Sequence, residues 1–108
     1  MVVDNRPKTA DEYVALIDEA LFEIAELRAA AEYDADSMGG ALEFLGELEG
    51  GVRQLKQQMI DGVYHFEDRD LPFMKQVRRA SDRLLPFKHL LQIINVTHRE
   101  GLAVDEDD

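Results

Sequence analysis

The sequence predicts an all-α fold, a long antiparallel helical hairpin followed by two short C-terminal helices. Three observations predict it. Apolar residues recur at intervals of three and four along most of the chain, which is the period of an amphipathic helix. Capping and stop signals stand at the edges of those stripes. The chain has 108 residues, 45% apolar and 32% charged, enough for one core and too few for a second domain.

Helix 1 opens at Thr9-Ala10-Asp11-Glu12, a capping box with Thr9 as N-cap and two acids at the positive end of the dipole. Tyr13, Leu16, Ile17, Ala20, Ile24, Leu27 and Ala31 then form an unbroken stripe, so the helix runs from Ala10 to about Glu32. At 1.5 Å per residue it is about 35 Å long. Phe22 falls nearly opposite the stripe, and Glu12, Glu19, Glu23 and Glu26 flank it. Tyr33 to Ser37 read as the connection, with Asp36 or Ser37 capping helix 2. Helix 2 follows Met38, Leu42, Leu45, Leu48, Val52, Leu55 and Met59 to a stop at Gly62. Five internal glycines (Gly39, Gly40, Gly46, Gly50, Gly51) each cost about 1 kcal/mol relative to alanine. The apolar period stays in phase across them, so one continuous helix is predicted. Gly39, Gly46 and Gly50 align as a small-residue edge that would let another backbone come close.

Residues 63–70 form an irregular connection whose Tyr64 and Phe66 are expected to cover one end of the bundle, with His65 packed between them. Asp70 is the expected cap of helix 3, which carries Pro72 in its first turn and ends near Arg83. Pro86 forces a new start, and helix 4 carries Phe87, Leu90, Leu91, Ile94 and His98 to Gly101. Leu71-Pro72-Phe73 recurs as Leu85-Pro86-Phe87, read as one convenient helix opening used twice. The domain is therefore residues 9–101, between a loose lead-in (1–8) and an acidic tail (102–108).

Charge is uneven. Residues 9–50 hold twelve acids against Arg28 alone, whereas residues 71–101 carry Lys75, Arg78, Arg79, Arg83, Lys88 and Arg99 against Asp82 and Glu100. Two readings follow. Internally, the arginines of helix 3 lie against Glu19, Glu23 or Glu26. Externally, Arg78, Arg79 and Arg83, within a basic face spanning residues 75–88, bind nucleic acid or another anion, aided by free N–H groups at the start of helix 4 near Lys88. The net charge of −11 opposes a phosphate backbone and favours the internal reading.

Chemistry is thinly provided. There is no cysteine, so neither disulfides nor thiolates are available. Glu-x-x-His does not occur, no two histidines have metal-ligand spacing, and no phosphate-binding glycine loop follows a strand. Ser81 has no histidine in register, and Thr97 and His98 project about 100° apart on one helix. His89 is expected to face solvent and His98 to sit at the core edge. No metal, cofactor or catalytic residue is assigned. Neither a secretory signal nor a membrane span is recognised, so the expected location is the cytoplasm.

Asp70 to Leu102, especially Leu71-Pro72-Phe73-Met74 and Pro86-Phe87-Lys88 through Thr97-His98-Arg99-Glu100-Gly101-Leu102, resembles short all-helical bacterial proteins of unknown function. Some of those are labelled as secretion components similar to an inner-membrane platform protein, from which this sequence departs in having no span. The resemblance implies a small bacterial helical protein and no activity. The expected function is a non-catalytic interaction or scaffolding role, self-associating as a homodimer or joined to a helical partner. Phe22, Gly46 and Gly50 are the candidate contacts.

Overall fold

The structure, a computed structural model, describes residues 6–103, with residues 35–40 described by their backbone only. Four helices follow in order: α1 (Ala10–Tyr33), α2 (Ala35–Ile60), α3 (Met74–Arg79) and α4 (Lys88–Glu100). The long helices α1 and α2 pair antiparallel, and the two shorter ones pack back on them.

α1 begins as its capping box dictates. Thr9 is extended, and its Oγ1 accepts the Glu12 N–H at 3.1 Å. The returning arm reaches one residue further than expected, where Glu12 Oε1 accepts the Lys8 N–H at 3.0 Å. Reversal into α2 takes a single residue, Asp34, whose φ −116° and ψ 56° lie outside the helical region. Asp36 and Ser37 are therefore not the caps of helix 2; they fall inside its first turn. Asp34 holds the N-cap position without a side-chain cap. The first N–H groups of a helix need no intrahelical partner, so Ala-Asp-Ser can serve as a first turn as well as a connection.

α2 runs unbroken through all five glycines. Leu45, Leu48, Val52 and Leu55 are buried, in one core with Tyr13, Ile17, Ala20 and Ile24. Each such side chain is worth about 1.5–3 kcal/mol, which outweighs a glycine cost of about 1 kcal/mol apiece. The helix stops at Gly62, at φ 74°, where the N–H groups of Gly62 and Val63 return to Met59 and Gln58 as a Schellman motif.

α3 is shorter than predicted. Asp70 does not cap it, because both carboxylate oxygens are engaged elsewhere: Oδ1 accepts from Asn95 Nδ2 at 2.9 Å and Oδ2 from Arg78 Nη1. The helix starts three residues after Leu71, with the Met74 N–H on the Leu71 carbonyl. It ends at Arg79 rather than near Arg83, since Ala80 is extended and Ser81 starts a separate turn toward Leu84 and Leu85. The repeated Leu-Pro-Phe does the same work twice. Leu71, Phe73, Leu85 and Phe87 are buried, both prolines face out, and Lys88 N–H meets the Leu85 carbonyl as Met74 meets Leu71.

The chain ends, where described, are not loose. Pro7 is buried, its carbonyl accepts the Ala103 N–H at 2.8 Å, and Arg6 donates to the Gly101 carbonyl at 2.9 Å. Leu102 packs against the core. The outer lead-in (1–5) and the acidic stretch Asp105–Asp108 lie outside the described residues.

Candidate functional site

A cleft of about 280 Å³ runs between α2 and the segment that opens α3. Phe44, Leu48 and Leu55 line one wall, Leu71, Pro72 and Phe73 the other, and Gln54, Gln58, Gln76 and Glu47 complete the lining. Gly51 sets the spacing of the walls. Its missing side chain lets the Phe73 ring settle on the helix, where a Cβ would stand 2.9 Å from Phe73 Cδ2. From Phe44 to Gln58 the α2 wall extends about 21 Å at 1.5 Å per residue. The volume is just below the range of about 300–1,000 Å³ usual for small-molecule sites. The lining holds no histidine, serine, threonine or lysine, so it can take up apolar side chains and hydrogen-bond a backbone through amides.

A second constellation closes the N-terminal end of α1. Tyr13, Tyr64 and Phe66 form an aromatic cluster, with Tyr13–Phe66 centroids at 5.9 Å and Tyr64–Phe66 at 5.1 Å, as expected for a cover over the bundle end. His65 is exposed and takes no part; its place is filled by His98 from α4, which is buried beside Tyr64. Tyr13 Oη donates to the Ile94 carbonyl at 3.1 Å and lies 3.2 Å from Tyr64 Oη, which is 2.6 Å from His98 Nδ1. Burial drives the Tyr13 hydroxyl far above its usual range and pushes that of Tyr64 up to about 12. Burial also lowers the His98 pKa, the nearby Glu67 opposing and Arg69 adding to the effect. Around it the connection is pinned to α4: Glu67 N–H donates to the His98 carbonyl at 3.1 Å and Arg99 Nε to Asp68 at 3.1 Å. Asn95 Oδ1 accepts the Leu71 N–H at 2.8 Å.

The residues singled out in the sequence do not converge. Phe22 is 61% exposed, on the face of α1 opposite its buried stripe. Gly46 and Gly50 point from α2 away from its buried stripe, and a Cβ at either would meet nothing within 4 Å. The close approach expected at that edge falls instead at Gly51. Gly39 has no described side-chain surroundings.

The arginines do not pair with Glu19, Glu23 or Glu26. Arg78 binds Asp70, while Arg79 and Arg83 are exposed and form no ion pair among the described residues. The acids of α1 and α2 are partly matched across the hairpin, by Asp18–Lys56 and Arg28–Glu49, both at 2.6 Å. α3 lies apart from α1, so its cations find the nearer Asp70 first. At the start of α4 the groups of Lys88 are engaged within the chain. Lys88 turns its ammonium to the Ala80 carbonyl at 2.6 Å, and the Lys88 N–H is taken by Leu85.

His89 is exposed, and Thr97 Oγ1 donates to the Ile93 carbonyl at 2.8 Å. Among the described residues no three histidines or acids are placed to share a metal ion, and no helix is long and apolar enough to cross a membrane. Both the cleft and the His98 cluster went unseen in the sequence. Phe44 lies off the stripe followed along helix 2, and nothing in local spacing says that Phe73 would land on Gly51. No family model, curated protein or solved structure matches the chain.

Proposed function

We propose that the chain is a small, non-catalytic interaction protein that receives an apolar segment of a partner protein in the cleft between α2 and Leu71–Gln76. One observation carries this reading: the cleft is walled by Phe44, Leu48, Leu55, Leu71 and Phe73 and edged by three glutamines, with Glu47 as its one charge. Apolar walls supply affinity by burial, and uncharged amides can satisfy the backbone of a bound segment without the desolvation cost of ions. A length of about 21 Å suits a helix of some four turns or a short extended peptide.

Selection of phage-displayed peptides on the folded chain tests the proposal. Enriched peptides are expected to carry Leu, Phe or Met anchors. They should shift the amide resonances of Gly51, Gln54, Gln58 and Gln76, and lose binding at least tenfold to a Gln54→Arg, Gln76→Arg variant, both positions being exposed. A tenfold loss corresponds to about 1.4 kcal/mol. Failure to enrich any peptide, or shifts confined to the Arg79 and Arg83 surface, would overturn it. The latter result would favour the anion-binding alternative.

A further inference from the structure

The hydrogen bonds over the first turn of α1 have a direction that counting protons reveals. The Ile94 carbonyl can only accept, so Tyr13 gives it its single hydroxyl proton, at 3.1 Å. The 3.2 Å contact between the two hydroxyls must then be donated by Tyr64. With the Tyr64 proton committed, its 2.6 Å contact with Nδ1 of His98 is a hydrogen bond only if Nδ1 bears hydrogen. In the opposite arrangement Tyr64 donates to a bare Nδ1, and two hydroxyl oxygens face each other with no proton between them. That is costly where Tyr13 is fully buried.

We infer that Tyr13, Tyr64 and His98 form a one-way relay that holds neutral His98 as the Nδ1–H tautomer and leaves Nε2 as a proton-accepting site at the edge of the connection. Nε2 has no hydrogen-bond partner among the described residues. It is not sealed from solvent either, since the buried side-chain atom without a partner among those residues is Arg28 Nε. The groups that act on the ring are Tyr64, Glu67 and Arg69, all from the connection, the last two paired at 3.1 Å. Acid adds its proton at Nε2, on the side away from the relay, so the Nδ1–H bond to Tyr64 stays made when the ring is charged. Burial opposes that charging and keeps the Nε2 lone pair free at neutral pH.

Long-range ¹H–¹⁵N correlation spectra of the full, ¹⁵N-labelled chain, recorded above the His98 titration, read the tautomer directly. Expected is a protonated Nδ1 and an unprotonated Nε2. Tyr13→Phe removes the acceptor for Tyr64, whose proton can then turn to Nδ1. The His98 population should move toward Nε2–H, the form free histidine prefers, although residue 13 makes no hydrogen bond to the ring. An Nε2–H tautomer in the parent protein would overturn the inference, and so would an unchanged Nδ1–H in a folded Tyr13→Phe variant. If that variant does not fold, the parent spectrum alone decides.

Discussion

Two neighbouring glycines of α2 meet opposite surroundings. A Cβ at Gly50 would touch nothing within 4 Å, whereas one at Gly51 would press on the buried Phe73 ring at 2.9 Å. Alanine at either position gains about 0.5–1 kcal/mol from helix propensity and a less free unfolded chain. At residue 51 displacement of the ring costs about 1–3 kcal/mol and reverses the sign. Gly50→Ala should therefore raise the urea midpoint and Gly51→Ala lower it; equal shifts in one direction would contradict the cleft geometry. The pair also shows where the sequence stops being legible for the candidate site. Spacing along helix 2 reveals a small-residue edge at Gly46 and Gly50. Which glycine is touched depends on where Phe73 arrives from another part of the chain, and periodicity within one helix carries no such information. His98 is similar: its place in the stripe of helix 4 marks it as a core-edge residue, but its Tyr64 partner is 34 positions away.

At the scale of elements, α1, α2 and α4 were legible because local signals agree with tertiary packing. Thr9 caps, Gly62 and Gly101 stop at positive φ, and the apolar stripes bury as their period requires. α3 departs from its predicted span because Asp70, a cap by local spacing, is claimed by distant groups. Hydrogen bonds from Arg78 and then Asn95 hold its carboxyl well below the usual carboxylate range. The folded state thus binds this proton less readily than the unfolded chain. The resulting stabilisation is complete above about pH 4 and is lost progressively as the pH falls lower. Thermal melts should show Asp70→Asn less stable than the parent at neutral pH, with the gap closing below about pH 4. A gap independent of pH would mean that charge at residue 70 does not contribute.

For the molecule as a whole, charge is arranged by proximity rather than by halves. Asp18–Lys56 and Arg28–Glu49 tie the hairpin across its own seam; the first, the more exposed, contributes about 0–1 kcal/mol, and the second is part-buried. Phe22 is an exposed large apolar side chain within α1, as Tyr33 is at its end, whereas Gly46 and Gly50 belong to α2. If two copies associate, Phe22 is the anchor expected to matter. Phe22→Ala should shift sedimentation velocity toward the monomer at high concentration with helical circular dichroism unchanged; monomers for both proteins would remove self-association from the proposal. The hydrogen bonds from Arg6 to Gly101 and from Ala103 to Pro7 have a further consequence. Fraying ordinarily starts independently at the first and last helices of a domain. Here the segment before α1 and the segment after α4 clasp each other, so opening at the start of α1 and opening at the end of α4 are coupled.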